Sequence, residues 1–219
     1  MLKIVVFDSG FGGELFADRL ESEIPVVEVI RVIDWRSANQ ILSSPRGARK
    51  AAEKALRPYV GNVDLIVFAN YLLTTTSLKY FRRKYRNQKF VGLNLRSKRL
   101  ARKPTLILTT KAVSRTLAYF QFAKNLRAKT ICLDTWPHLI DDGELTSEDC
   151  ERDLSAALRR VDNFSPQQIL LACGQFTELT PKIRQIFGHN VRIVDSFDTA
   201  IIEICRALGI RSALTAKSK

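Results

Sequence analysis

The chain has 219 residues, with 35 Lys plus Arg against 22 Asp plus Glu and a formal net charge of +13. With 46% hydrophobic and 26% charged residues it holds enough apolar material for a sizeable core, which excludes disordered, collagen-like and mucin-like chains. That length suits one α/β unit or two small lobes on one chain, and no apolar run approaches the roughly 18 residues a membrane span needs.

The apolar run Leu2–Phe7 reads as a strand, closed by the glycine turn Asp8-Ser9-Gly10-Phe11-Gly12-Gly13 and followed by an amphipathic helix from Glu14. A second strand, Val26–Ile33, ends at Asp34. Pro45 opens a helix to about Arg57, with Pro at its first turn and Pro58 to stop it. Leu65–Ala69 is a buried strand followed by Asn70 and the run Thr74-Thr75-Thr76, after which Lys79–Arg86 reads as a basic helix. Phe90–Leu95 and Thr105–Leu108 are further strands, and Val113–Leu126 is a helix. Thr130–Leu133 is a strand, and Thr146–Val161 is a helix with Thr146 and Asp149 spaced as a capping box. Gln168–Ala172 is a strand ending in Cys173, with a helix to Ile186; Val191–Val194 ends in Asp195-Ser196, and a helix to about Leu208 precedes a frayed tail after Arg211. This alternation predicts an α/β fold with parallel sheets and helices on both faces.

Polar residues follow the strands directly: Asp8-Ser9, Asp34, Asn70, Thr109-Thr110, Cys173 and Asp195-Ser196. Ligands of open α/β sheets bind outside those strand ends, so these residues are site candidates as a group. The DSGFGG turn lacks the spacing of a dinucleotide fingerprint or a P-loop. It is either a tight strand-to-helix connection or a helix N-terminus whose bared N–H groups suit a carboxylate or phosphate. Cys173 reads either as a small buried hydrophobe or as a thiol activated at a helix start. The other cysteines, Cys132, Cys150 and Cys205, read as structural; with no CxxC pair the expectation is reduced thiols, a cytoplasmic protein and no metal site. His138 and His189 read as packed or solvent-facing side chains. The start MLKIVVFDSG has no signal-peptide pattern.

Charge is unevenly spread. From Leu65 to Leu133 there are sixteen Lys and Arg and no acid, whereas the other 150 residues sum to −3. Such a field, densest over Lys79–Lys103, attracts phosphates, acidic partners or anionic substrates, or is a solvated face. Lys79, Arg82, Arg83 and Arg86 recur at helical spacing with Tyr80, Phe81 and Tyr85 between them, and those aromatics serve either a nucleic-acid surface or the helix's core face. The chain contains no known nucleic-acid motif.

The segment Val6–Gly13 (VFDSGFGG) resembles the opening motif of glutamate racemases, in the cofactor-independent aspartate/glutamate racemase superfamily. Further along, Leu65–Leu73 falls where that family has its first cysteine motif, and LTTKAVSRTLAY (108–119) is similar to its Thr-rich segment. Leu139-Ile140-Asp141-Asp142-Gly143 is similar to the family's Leu-Val-Glu-Glu-Gly turn, Leu170–Phe176 to its second cysteine motif, and Val194-Asp195-Ser196 to its Ile-Asp-Ser. The resemblance implies two pseudo-symmetric lobes, each a parallel sheet flanked by helices, with the site in the cleft between them. One lobe would be residues 1–93 plus 196–219 and the other 94–195. It also implies proton transfer at a substrate Cα by two opposed cysteines, without cofactor or metal.

The chain departs from that pattern at the chemistry. Ala69 stands at the first cysteine, Tyr71 replaces a Thr beside the retained Asn70, and in the second motif Cys173 is kept while Gly174 and Gln175 replace Thr and His. The family's Pro-Tyr-Gly corresponds to Asn39-Gln40-Ile41, and its Ile-Glu-Pro to Asn94-Leu95-Arg96. Asp8, Ser9, Thr109 and Asp142 survive. The resemblance therefore assigns Cys173 and Asp8 as catalytic, and Ser9, Asn70, Thr109, Thr110, Gly174 and Gln175 as substrate-binding, with the first base lost at Ala69. Because Ala69 has no proton to give, the expected function is a racemase-like protein with a degenerate site, little or no racemase activity and a small carboxylate or amino acid as ligand. Two alternatives stay open. One is a single-cysteine enzyme of the same superfamily, decarboxylase-like, acting through Cys173 with Thr74–Ser77 as a hydroxyl-rich carboxylate pocket. The other is a basic-surface protein binding nucleic acid or an acidic protein through Lys79–Lys103, as some glutamate racemases also act on DNA gyrase; a homo-oligomer is compatible with either.

Overall fold

The apolar runs become strands in the computed structural model, which describes residues 1–93, 103–124, 126–159 and 164–211. The end of the Phe90–Leu95 run, the Asn94-Leu95-Arg96 motif, residues 94–102 of the Lys79–Lys103 basic run, the close of the Thr146–Val161 helix and the tail after Arg211 lie outside the described residues. The chain divides into two compact units, Met1–Asn94 with Ser196–Lys219, and Leu95–Asp195.

In the first unit β1 (Leu2–Asp8) is followed by α1 (Phe11–Glu23), β2 (Val27–Ile33), a 3-10 turn over Trp35–Ser37, α2 (Ala38–Ser43) and α3 (Pro45–Leu56). Then come β3 (Leu65–Phe68), α4 (Tyr71–Lys84) and β4 (Phe90–Gly92). In the second unit β5 (Thr105–Thr109), α5 (Lys111–Ser114), α6 (Leu117–Ala123), β6 (Ala128–Cys132), α7 (Trp136–Asp141) and α8 (Ser147–Arg159) precede β7 (Gln168–Leu171). A 3-10 segment (Gly174–Leu179), α9 (Thr180–Phe187) and β8 (Arg192–Asp195) complete it, and α10 (Ser196–Leu208) returns to the first unit.

Both sheets are parallel and have the same order, β2-β1-β3-β4 and β6-β5-β7-β8, so the two units repeat one topology. Ile4, Val5, Val6 and Phe7 of β1 and all of β3 are fully buried, because helices cover both faces of a parallel sheet. On one face Val5, Phe7, Ile66 and Phe68 pack with Ala48, Ala51, Ala52 and Leu56 of α3 and with Leu73 and Phe81 of α4. Phe68 meets the rings of Phe7, Phe81 and Phe90 at centroid distances of 6.2, 5.1 and 5.9 Å. Elsewhere in the unit Phe16 of α1 stacks edge-on against Phe197 of α10 at 5.1 Å, which fastens the returning helix. The second unit's core centres on Trp136, fully buried, with its ring 5.8 Å from Phe176 and its Nε1 donating to Asp153 at 3.0 Å.

Three helices depart from the expectation, each for a local reason. The helix expected over Lys79–Arg86 begins at Tyr71 and ends at Lys84, so it takes in the threonine run. Asn70 caps it by accepting from the Leu73 N–H at 3.0 Å, and Thr75 and Thr76 donate back to the carbonyls of Tyr71 and Leu72 at 2.9 and 2.6 Å. The helix expected over Val113–Leu126 breaks at Arg115-Thr116, where Thr116 accepts from the Tyr119 N–H at 3.2 Å and starts α6 afresh. After Cys173 the chain runs through the 3-10 segment before α9 begins with Pro181 in its first turn. The predicted capping box is present: Asp149 N–H donates to Thr146 Oγ1 at 3.1 Å. α2 and α7 have no counterpart in the sequence reading.

Phe68 joins two strands and α4 in one aromatic cluster, so Phe68→Ala is expected to destabilise the first unit by about 3–5 kcal/mol. A fall in the urea midpoint of the full chain measures this; an unchanged midpoint would contradict the packing described.

Candidate functional site

In an order of β2-β1-β3-β4 the chain runs outward from β1 to β2 and then crosses back to β3, so β1 and β3 flank the switch point where open sheets bind ligands. Their carboxyl ends carry Asp8-Ser9 and Ala69-Asn70. In the second unit β5 and β7 hold the same positions and end in Thr109-Thr110 and Ala172-Cys173. Topology thus gathers most of the sequence candidates into one cluster per unit.

The first cluster is built around a buried carboxylate. Asp8 Oδ1 accepts from the Ser9 N–H at 2.6 Å and from Asn70 Nδ2 at 2.7 Å. Since the Asn70 oxygen caps α4, its amide can only present Nδ2 to Asp8, and one residue ties the carboxylate to the helix start. α1 comes so near that a Cβ on Gly13 would lie 2.4 Å from Asp8 Cβ and 2.6 Å from Ile33 Cδ1. The second glycine of the Gly12-Gly13 pair therefore has a steric cause, close approach of helix to strand end. Ala69 and Tyr71 are both buried, and Phe68 between Val67 and Ala69 turns into the aromatic core.

The second cluster is a line of three side chains. Cys173 Sγ donates to Gln175 Oε1 at 3.1 Å, and both are half-buried. Gln175 also reaches Asp141, the last residue of α7. Burial raises the Asp141 carboxyl above its ordinary range, opposed by the contacts with Gln175 and His138 and assisted by neighbouring Asp142. Its Oδ1 is buried with no hydrogen-bond partner among the described residues. Gln175 has no titratable proton, so it can position the thiol by accepting its S–H but cannot take that proton as an imidazole would.

Other candidates serve the scaffold. Thr109 is fully buried and donates to the Ala172 carbonyl at 3.3 Å, joining the ends of β5 and β7. Thr110 sits at the start of α5 without a side-chain cap bond, and Gly174 is buried. Thr74, packed so tightly that a Cβ on Gly92 would lie 2.5 Å from its Oγ1, donates to the Phe68 carbonyl at 3.3 Å. With Thr75 and Thr76 also bonded to backbone, the hydroxyl run offers α4 its donors and supplies no ready carboxylate pocket. His138 and His189 are exposed, and Asp195 accepts from Thr177 at 3.4 Å. No group of three or more His, Cys, Asp or Glu side chains suited to a metal ion occurs among the described residues.

Asp141 was not singled out by sequence reading, which kept its neighbour Asp142; the latter is exposed. The available signal was Pro137, whose place in a first helical turn makes 136–141 helical and turns successive side chains by about 100°.

Comparison with known proteins gives one fold. No protein-family model matches the chain. Among curated proteins it is similar to glutamate racemase of Lysinibacillus sphaericus strain C3-41, 22% identical over 211 residues covering 88% of this chain and 76% of the relative. Glutamate racemase of Exiguobacterium sibiricum is 24% identical over 224 residues, covering 94% of this chain and 79% of the relative. Among solved structures, glutamate racemase of Campylobacter jejuni superposes with a TM-score of 0.82 at 19% identity, covering 97% of this chain and 88% of that one. Escherichia coli glutamate racemase, solved with L-glutamate and an activator, gives 0.80 at 20% identity over 96% of this chain and 84% of that one. The chain thus has a repeated α/β racemase fold, two four-stranded parallel sheets flanked by helices. Within that class it has the glutamate racemase fold.

Because burial raises the Asp141 carboxyl, at pH values between its unfolded and its native pKa the native protein holds a proton there that the unfolded chain has released. Stability from this group is therefore lost as pH rises from the unfolded value, about 4, through the raised native one. Asp141→Asn removes that loss, so its stability relative to the parent should grow between about pH 4 and pH 7. Urea midpoints of both proteins across that range check the sign.

Proposed function

We propose that the chain is a glutamate-racemase-like protein that holds a small carboxylate and has little or no racemase activity. The observation that carries this reading is the pair of replacements at the chemistry, Ala69 for a first base and Gln175 as the neutral neighbour of Cys173. Inversion at a Cα needs a proton acceptor on one face and a donor on the other. Ala69 supplies neither, and the loss of one positioned base costs about 10²–10⁴-fold. The carboxylate reading is supported by what surrounds the strand ends. At the strand ends of the first unit Ser9 and Asn70, and at those of the second Thr110, Gly174 and Gln175, offer neutral hydrogen-bonding groups, and Asp8, held by Asn70, acts as the polar pivot of the first cluster. The fold's relatives include the E. coli protein solved with L-glutamate, which sets the ligand class to try first.

One observation favours a second reading. The Cys173–Gln175–Asp141 line retains a half-exposed thiol whose S–H is oriented, which is what one-face protonation of a carbanion requires. In that reading Cys173 donates a single proton after decarboxylation and no inversion occurs.

The two readings separate by experiment. Pure protein incubated with L-glutamate or L-aspartate should show no D-isomer by chiral chromatography and no Cα-deuterium incorporation by NMR, while D- or L-glutamate still raises its melting temperature. Turnover that disappears in Cys173→Ser would sink the first reading. Release of CO₂ from a panel of substituted malonates, again lost in Cys173→Ser, would establish the second. Restoring both motifs with Ala69→Cys and Gln175→His together should raise Cα exchange above the parent's background, and either change alone should give much less.

A further inference from the structure

We propose that the outer face of the α3–α4 pair is a docking surface for the phosphate backbone of duplex nucleic acid, a reading independent of the carboxylate one. The two helices lie side by side in the same direction, as their bridging contacts show: Arg49 donates to the Thr76 carbonyl at 2.8 Å, and Glu53 accepts from Tyr80 at 2.7 Å and pairs with Lys84. Alanines 48, 51 and 52 with Leu56 face the sheet on α3, as do Leu73 and Phe81 on α4. With both of those directions fixed, the helical phase sends Arg46, Lys50 and Arg57 of the first helix segment and Lys79 and Arg83 of the second to one shared outer face. All five are exposed, as are Lys54 and Arg86 beside them, and none has a carboxylate within salt-bridge distance among the described residues.

The charge is concentrated by subtraction. Residues 45–57 hold five Lys and Arg and one acid, Glu53, while residues 71–86 hold five and no acid. Glu53 shares the helical phase of Arg46, Lys50 and Arg57, but its half-buried carboxylate is engaged by Lys84 and Tyr80 across the helix pair, so it offsets one positive charge and leaves the face strongly cationic. Like charges at successive i,i+4 positions repel by a few tenths of a kcal/mol per pair, a cost that a polyanion reverses. The row from Arg46 to Arg57 extends about 16 Å, which matches the phosphates of roughly five base pairs along one strand.

The chemistry of the face separates phosphate backbone from protein. Protein interfaces are anchored by exposed aromatic or aliphatic side chains. The exposed large apolar side chains here are Met1, Phe11, Val26, Trp35, Leu42, Leu117 and Phe120, none of them on α3 or α4. Tyr80 and Tyr85 pack against the Phe81–Phe90 cluster, with rings 5.5 and 5.8 Å from Phe81. The aromatics between the basic residues are therefore core, and among the described residues no base-stacking platform faces outward on α3 or α4. What remains is cationic and sequence-independent, the chemistry of backbone contact.

Full-length chain titrated into a fluorescent mixed-sequence DNA duplex, read by anisotropy between about 50 and 200 mM salt, tests the proposal. Binding should weaken linearly in log salt. Lys50→Glu, Lys79→Glu and Arg83→Glu combined should weaken it at least about 10-fold and flatten the slope by about 3, near 0.9 for each phosphate no longer neutralised. A control with the same net charge, Lys124→Glu, Arg127→Glu and Lys129→Glu on exposed positions of the second unit, should change affinity less than about 3-fold. Far-UV circular dichroism verifies folding, and the corresponding Gln variants replace any triple that does not fold. Absence of duplex binding at the lowest salt, salt-independent binding, equal loss in both triples, or tighter binding to polyglutamate or phosphatidylserine vesicles than to duplex would each overturn it.

Discussion

Parallel pairing around β1 governs the first unit, and the same pairing around β5 governs the second. β1 is hydrogen-bonded on one edge to β2 and on the other to β3, with helices over both faces, so its enclosed middle has no place for a polar side chain. The chain obeys with Ile4-Val5-Val6-Phe7, and polarity returns at Asp8, where the strand leaves the sheet. The same constraint acts on Leu65–Phe68, Leu106–Leu108 and Ile169–Leu171, all buried. A strand order that reverses beside the central strand then puts the four polar exits next to one another in pairs. Candidate chemistry is thus concentrated by backbone topology before any side chain is chosen.

At those exits the two units hold their polar groups differently. In the first, Asn70 spends one end of its amide on the helix and the other on Asp8, a bond that fixes the carboxylate by means of secondary structure. Because Gly13 brings α1 against Asp8, the group is enclosed as well as tied. In the second, Thr109 serves the sheet and leaves Cys173, Gln175 and Asp141 as the adjustable part. A neutral amide between a thiol and a carboxyl transmits orientation without transferring charge. The raised carboxyl at its far end follows from the same enclosure, since burial is its largest cause.

Periodicity and breaker residues made the strands legible, to within about two or three residues at β4 and β6, and Asp8, Asn70 and Cys173 were legible as strand exits. Boundaries failed where side chains bond to their own backbone. Thr74, Thr75 and Thr76 read as a polar run, but their hydroxyls are satisfied inside α4, which β-branched residues join when tertiary packing favours a helix. Thr116 restarts a helix that apolar periodicity carried straight through. Asp141 escaped notice because its role depends on the phase of α7, and the Asp-Asp pair gives no hint which member faces inward. Thr109 shows the converse: a motif position with a hydroxyl is occupied by a sheet tie.

Charge is where linear reading misled most. Outside residues 65–133 the sequence sums to −3, which makes α3 look ordinary. That sum averages two helices on separate elements. α1 carries Glu14, Asp18, Glu21 and Glu23 with Arg19, and three of its acids close on Arg31 of β2 at 3.1, 2.7 and 2.6 Å. Three carboxylates on one guanidinium leave that cluster net negative, but none of them pairs with Arg46, Lys50 or Lys54 of α3 or with Arg57 at its end. Because α3 lies against α4, it joins the acid-free segment in space though not in sequence. The surplus of basic residues therefore has a second contributor beside the run from Lys79 onward, the adjoining helix α3.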